Sequence, residues 1–376
     1  MQERIYFDHN ATTKVAADVL GAMNVVYNQP LNPSAVHYYG RSANQLADMS
    51  RQYIKNLIGA NNYQLIFTSG GTEANNLAIF GLSGYQLISS EIEHSSVYNI
   101  ALKQNSILIK TNKDGIVDTK YLQQILNNLH TDKFVVSVML ANNETGAIQP
   151  LKQISAMVHE KGGLVHSDII QAVGKINIDL SDLDIDLASV SAHKINGPQG
   201  VGALLVKENI DVMPMIYGGG QEGGKRSGTH NVAGIVGFGK ACKIAGERMS
   251  IYKKISTLRD YLENSIRQVA GGDAVIFSNK AVRLPNTSLI ATKGLDNQIQ
   301  LINFDLNNIL VSIGAACSSG SPKPSRVLKA MGFEDSIIKN TIRISLGLEN
   351  TKEQVDKFVG LWEKMYNKLK LKNKNG

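Results

Sequence analysis

The residues of this chain best suited to chemistry stand at the ends of short apolar runs. Lys194 closes Ser191-Ala-His-Lys194 and is followed by Asn196-Gly-Pro-Gln-Gly200. A lysine at the end of a buried strand is partly desolvated, which lowers its pKa and suits an amine that forms Schiff bases. The alternative is a surface charge entering a Gly/Pro loop. Asp168 closes Val165-His-Ser-Asp168, with Gln171 one helical turn beyond. A buried aspartate there either keeps a ring nitrogen protonated, so that the ring draws electrons, or caps a helix N-terminus.

Three further segments carry candidates. Thr68-Ser-Gly-Gly-Thr-Glu-Ala-Asn-Asn76 follows an apolar run and opens a helix. Its glycines admit close approach and the helix start offers free N–H groups, which together make a phosphate cradle or an ordinary tight turn. His94, in Glu91-Ile-Glu-His-Ser-Ser96, is either a ring that stacks on a flat cofactor or a structural histidine. Arg343, in Ile342-Arg-Ile-Ser-Leu-Gly347, is flanked by apolar residues and needs an anion: a substrate carboxylate or a structural ion pair.

The two cysteines read differently. Cys317 lies in Gly314-Ala-Ala-Cys-Ser-Ser-Gly-Ser-Pro-Lys-Pro-Ser325, a small, polar segment with the composition of an exposed, mobile loop. An accessible thiol there is a candidate nucleophile. Cys242, in Gly237-Phe-Gly-Lys-Ala-Cys-Lys-Ile-Ala-Gly246, sits in a helical pattern and reads as packing.

These residues need a frame that aligns strand ends. Leu65 to Thr68, Phe134 to Leu140, Leu164 to His166, Leu187 to Val190 and Val201 to Val206 are continuous apolar runs, the pattern of strands buried on both faces. Ala43 to Leu57 and Ile154 to Glu160 carry apolar residues at helical spacing. Such alternation predicts an α/β fold with a mostly parallel central sheet sandwiched by helices. Ligands of such sheets bind beyond the carboxyl ends of the strands, where Ser69–Thr72, Asn142–Thr145, Asp168 and Lys194 fall. After residue 250 the pattern changes to a long amphipathic helix, Ile251 to Val269, then shorter elements, then a helix over Lys352 to Leu371. The expected organisation is a large domain over residues 15–250 and a smaller α+β domain from 1–14 and 251–376.

Composition narrows the function classes. The chain has 376 residues, 43% of them hydrophobic, enough for a sizeable core. Its +7 charge comes largely from the tail, Lys364, Lys368, Lys370, Lys372 and Lys374, so it gives no sign of nucleic-acid binding. Two cysteines make no disulfide framework, the first residues carry no signal core, and no apolar run spans a bilayer. A cytoplasmic protein with neither membrane nor nucleic-acid partner is expected.

Together the segments resemble the cysteine desulfurases of the NifS/IscS type, in the class V aminotransferase family. The resemblance runs from Phe7-Asp-His-Asn-Ala-Thr-Thr13 to Ile342-Arg-Ile-Ser-Leu-Gly347. It includes Asn32-Pro-Ser34, Thr68–Glu73, Glu93-His94, Ala141-Asn-Asn-Glu-Thr-Gly146, Ser191–Lys194, Arg226-Ser-Gly-Thr229 and Gly314–Cys317. It implies the pyridoxal 5'-phosphate (PLP) fold type I and a homodimer. Lys194 would carry PLP as a Schiff base, Asp168 would pair with the ring nitrogen, Gln171 would contact the ring hydroxyl and His94 would stack on the ring. Gly71, Thr72, Ser191 and His193 would hold the phosphate, and Thr229 that of the neighbouring subunit. Asn143, Arg343 and Asn32 would bind substrate. Cys317 would take sulfur from L-cysteine, leaving L-alanine, and pass it to an iron–sulfur scaffold or another acceptor protein. Two departures stand out. Asn32 to Arg41 looks more like the NifS side than the housekeeping IscS side, and the chain ends at Gly376 without the long IscS extension.

Overall fold

The computed structural model describes residues 4–313 and 324–374. Cys317 therefore lies outside the described residues. A seven-stranded sheet runs in the order Tyr63–Thr68, Gly202–Lys207, Leu187–Ser191, Leu164–Asp168, Phe134–Ser137, Gln86–Ser90, Ile107–Ile109. Gly202–Lys207 pairs antiparallel with both its neighbours, and every other pairing is parallel. Thr68, Ser90, Ser137, Asp168 and Ser191 therefore end at the same edge of the sheet.

The apolar runs form strands because both faces are covered. Leu65, Phe67, Val136, Ala188, Val190 and Leu205 pack against helices on one side. The alternate positions Ile66, Val135, Leu187, Leu204 and Val206 pack on the other, against the helices Gly71–Phe80 and Ser95–Lys103. Such strands bury side chains at both parities, as parallel strands between helix layers do.

A second core gathers around an antiparallel sheet, Thr341–Ser345, Thr287–Thr292 and Ala274–Ile276. Trp362, Phe304 and Phe358 are fully buried there, with Phe304 stacked on Phe358 at 4.5 Å. The N-terminal strand Ile5–Tyr6 pairs in parallel with Ile309–Leu310, and Ile5 and Phe7 join this core. From there the chain crosses to the large sheet. The Asp8 backbone bridges Ser345, Thr13 N–H donates to His193 O at 2.9 Å and Ala16 N–H to Asn196 O at 3.0 Å. Residues 8–16 thus form a strap between the two sheets.

Several boundaries differ from the sequence expectation. The helix expected from Ala43 begins at Tyr38, because its first turn exposes Tyr38 and Tyr39 and carries no apolar stripe. The strand expected to reach Leu140 ends at Ser137; the next residues stay buried, with Val138 N–H on His166 O and Leu140 N–H on Asp168 O. Gln86–Ser90 and Ile107–Ile109 were not singled out as strands, being short and, in the first case, half polar.

Gly202 has a steric reason to be glycine. A Cβ there would lie 2.7 Å from both the Gly70 carbonyl carbon and Val190 O. Gly202→Ala should cost roughly 1–3 kcal/mol by forcing the strand away from the turn at Gly70. A calorimetric midpoint equal to the parent's would contradict this packing account.

Candidate functional site

Lys194 ends the single helical turn Ala192–Lys194 that follows the strand Leu187–Ser191. Its amine meets the strap: Nζ donates to the main-chain carbonyls of Asn10 and of Ala11, the latter at 2.7 Å. Burial first, and then the Arg343 guanidinium, push its pKa down to about 8. The surface-lysine reading is set aside by this geometry.

Beside the strap opens a cavity of about 510 Å³, lined among others by Ala11, Ser69, Gly71, Thr72, Ser191 and His193. The cavity sits at the N-terminus of the helix Gly71–Phe80, where unpaired N–H groups and the helix dipole favour an anion. A Cβ at Gly71 would stand 2.2 Å from Ile170 Cδ1, so any larger residue there would push that methyl aside. His193 Nδ1 meets Thr12 Oγ1 at 3.1 Å, and burial pushes its pKa down to about 4, so the ring is neutral near pH 7. Glu73 also lines the cavity, its carboxylate paired with Arg226, whose Nε donates to Glu73 Oε1 at 2.9 Å, and with Ser69 N–H at 2.8 Å on Oε2.

Asp168 is buried and caps the turn that follows it, with its second oxygen on an amide. Oδ1 accepts from Ile170 N–H at 3.0 Å, which caps the following turn, and Oδ2 accepts from Asn75 Nδ2 at 2.8 Å. Asn75 Nδ2 also donates to Ser96 Oγ at 2.8 Å, and Ser96 Oγ lies 2.8 Å from His94 Nδ1. A continuous polar chain therefore joins Asp168 to His94. His94 caps the helix Ser95–Lys103, with Nδ1 accepting from Ser96 N–H at 3.2 Å. The neutral ring then carries its proton on Nε2. Burial holds its pKa below the usual histidine value against the pull of Asp168.

Arg343 is buried and already paired. Nη2 donates to Asp8 Oδ1 at 2.6 Å and Nη1 to Asn143 O at 2.9 Å, while Nε has no partner among the described residues. Asn143 thus meets Arg343 through its main chain. Gln171 donates from Nε2 to Asn10 O at 3.0 Å. Thr229 lines a smaller cavity of about 200 Å³ that shares Ser69 and Gly200 with the first. Asn32 is not among the residues lining either cavity; its Oδ1 accepts Ser34 N–H, and Pro33 and Ser34 line a separate groove with Arg51 and Glu222. Cys242 is buried in the helix Val232–Arg248, and burial raises its thiol pKa, so it is an inert packing residue.

Several participants were not read from the sequence. Asn75 sits one turn into the cradle helix, and only the fold turns it toward Asp168. Asn10 falls within the Phe7–Thr13 segment, but its contacts with Lys175 and Lys194 arise only in the fold, and Lys175 has no neighbouring motif that marks it. Arg326 donates to the carbonyls of Glu91 and Glu93 and lies over the Tyr98 ring at 3.7 Å, which pins the turn that carries His94.

The residues present fit PLP: an anion cradle, a buried aspartate with one oxygen on an amide, a neutral ring beside it and a depressed amine. Pyridoxal phosphate would be held by Gly71, Thr72, Ser191 and His193 at its phosphate and by Asp168, His94 and Lys194 at its ring. Residues 5–358 match the family model for class-V aminotransferases. A cysteine desulfurase IscS of Dictyoglomus turgidum is 36% identical, over 98% of this chain and 96% of the relative. The solved NifS-like protein of Rickettsia africae superposes with a TM-score of 0.91 at 38% identity, covering 97% of this chain and all of that one. SspA in complex with cysteine gives a TM-score of 0.78 at 30% identity, covering 92% of this chain and 100% of SspA.

Glu93 offers a pH test of the His94 turn. It is fully buried; Oε1 accepts from Met139 N–H at 2.8 Å and from the Ser90 hydroxyl, and burial pushes its pKa from 4.5 up to about 8. A carboxyl with a raised folded pKa adds stability that is complete below its unfolded value and is lost as pH rises through the folded one. Unfolding free energy should therefore fall from this group between pH 4.5 and about 8, by up to roughly 1.4 kcal/mol per pH unit. Glu93→Gln should flatten that slope in urea titrations across the window; an unchanged slope would refute it.

Proposed function

Because the chain belongs to the class-V aminotransferase family, whose members depend on PLP, we propose that it is a cysteine desulfurase. Its reaction removes sulfur from L-cysteine, leaving L-alanine. The observation that carries this reading is the Lys194 amine, depressed to about 8 and held on the strap behind an anion cradle.

Bound PLP supplies an electron sink for negative charge at the substrate Cα. Lys194 Nζ, as the free amine, is the base that removes the Cα proton. Its low pKa keeps a useful fraction unprotonated at neutral pH. Asp168, fixed by Asn75 and Ile170 N–H, holds the ring nitrogen protonated. His94, neutral and locked by Ser96, offers a flat face to the ring, and Gln171 offers its amide to the ring hydroxyl. Arg343, already bridged to Asp8, has a buried Nε free for a carboxylate, with Asn143 beside it and Asn32 as a further contact. The thiolate of Cys317 attacks the substrate sulfur. An S–S bond forms as the Cβ–S bond breaks, the electron pair stays on carbon, one proton completes the methyl group, and Lys194 returns a proton to Cα to complete alanine. One cysteine and one protein thiol thus give one alanine and one Cys317 persulfide. That sulfur passes to an iron–sulfur scaffold or another acceptor protein.

The protein acts as a homodimer in this reading, with Thr229 serving the partner's phosphate site. Two exposed apolar segments favour it: Val36 with Tyr38, and Met213 with Met215, Ile216 and Tyr217. The second abuts the Thr229 loop through Ser227 N–H on Ile216 O at 3.2 Å. Exposed apolar clusters of this kind mark interfaces. No described helix is long and apolar enough to cross a membrane. We place the enzyme in the cytoplasm, with residues 15–250 as the PLP-binding domain and the remainder as the small one.

Incubation with L-cysteine should yield alanine and, with a reductant, sulfide. Lys194→Ala should abolish both, and Cys317→Ser should lower turnover by at least about a hundredfold, the scale of losing an essential nucleophile. Full sulfide release by Cys317→Ser would exclude the persulfide route. Sedimentation should give twice the 40.9 kDa chain mass, and Tyr217→Asp should shift the protein toward monomer. A monomeric parent with full PLP occupancy would remove Thr229 from the partner's site.

A further inference from the structure

The buried group that the proposed chemistry leaves unused is Lys175. It lies on the turns after the strand Leu164–Asp168 and is only 3% exposed. Its Nζ donates to Asn10 Oδ1 at 3.2 Å and to Gln171 Oε1 at 3.1 Å. No carboxylate joins them among the described residues. Keeping an amine out of water on amide oxygens alone is expensive, and an apolar residue of like volume would fill the space at lower cost. Burial, with Lys194 and then Arg343, pushes its pKa down to about 7.

Both acceptors lead to the site. Protonated Lys175 has only hydrogens to donate, so in that form it decides which end of the Gln171 amide faces it. With Oε1 on Lys175, Nε2 is left to donate to Asn10 O at 3.0 Å. That same carbonyl receives the Lys194 amine. Lys175 also shares Asn10 Oδ1 with Asn286 Nδ2 at 3.1 Å, while Asn10 Nδ2 holds Thr287 Oγ1 at 2.8 Å. Lys175 therefore grips the strap residue whose main chain parks Lys194.

We propose that Lys175 is a positioning residue of the cofactor site: acting through Gln171 and Asn10, it fixes the orientation of one amide and the resting place of the Lys194 amine. This deepens the PLP reading and rests on it. Without Lys175, the Gln171 amide turns over freely, and one of its two orientations sets oxygen against the Asn10 carbonyl.

The test is a double-mutant cycle on the full-length protein with Lys175→Met, Gln171→Ala and both together. The PLP dissociation constant is read by absorbance. Alongside it, the acetylation rate of Lys194 relative to exposed Lys14 is read by mass spectrometry without cofactor. Lys175→Met should weaken PLP binding about tenfold, the cost of an amide left unsatisfied. The same change in the Gln171→Ala background should cost under about twofold, since the two act as one unit. Lys194 acetylation should change by about threefold or more as its parking place loosens. Equal losses in both backgrounds, or unaltered Lys194 acetylation, would overturn the proposal and leave Lys175 a packing residue. A parent that takes up no PLP would count against the cofactor reading alone; the acetylation arm, which needs no cofactor, would then decide the role of Lys175.

Discussion

An amine taken out of water must find acceptors, and Lys194 finds them on the strap formed by residues 8–16. Much of the site depends on that contact. The strap is pinned at one end to the antiparallel sheet by Asp8 and Asn10, and at the other to the turn after Ser191 by Thr13. The amine thus rests on backbone that belongs to neither sheet alone. Because main-chain carbonyls carry no formal charge, they steady the amine without the full stabilisation that a carboxylate would give its cation. That choice of acceptor is what permits a pKa near 8 in a site that also contains Asp8 and Asp168.

The other polar groups follow the same economy of charge. His94 and His193 are both kept neutral by burial, so near pH 7 neither competes with Lys194 or Arg343 for an anion. The buried Asp168 is met by an amide and a backbone N–H rather than by a cation. A carboxylate satisfied by dipoles remains available to a protonated ring nitrogen, whereas one already paired with arginine would not. The Arg343–Asp8 and Arg226–Glu73 pairs depart from this pattern, and the first sits on the strap side, where it ties the second sheet to Lys194's resting place.

The sequence made the central sheet and most of the cradle legible for a physical reason. Strands buried on both faces leave unbroken apolar runs, and the residue that follows each run falls at one edge. Lys194, Asp168 and Thr72 could be placed by that rule. Asn75, Asn10 and Lys175 could not, because their roles arise from contacts between segments far apart in the chain. Asn75 reads as a helix residue, and only the packing of its helix on the strand Leu164–Asp168 turns it toward Asp168. Lys175 reads as a surface lysine in a Gly-Lys pair until the strap covers it. Arg343 was ambiguous for the opposite reason: one guanidinium has donors enough both for the Asp8 ion pair and for a carboxylate on its unpartnered Nε.

The stretch with Cys317 lies outside the described residues, yet both of its flanks are anchored to groups already discussed. On one side Ser312 exchanges backbone hydrogen bonds with Arg343, at 3.1 Å and 2.6 Å. On the other, Ser325 donates to the buried Glu144 carboxyl at 2.5 Å, and Arg326 donates to the carbonyls of Glu91 and Glu93 beside His94. One flank is thus tied to the strand that carries Arg343, and the other to the turn that carries His94. The two anchors use different physics. Backbone ladder bonds are insensitive to pH, whereas Glu144 is a buried carboxyl whose pKa burial raises, and Ser325 meets it as a hydroxyl donor. A protonated Glu144 can give its own hydrogen to Ser325 Oγ, so the donor and acceptor in that pair depend on pH, whereas the Ser312–Arg343 backbone pair holds no titrating group.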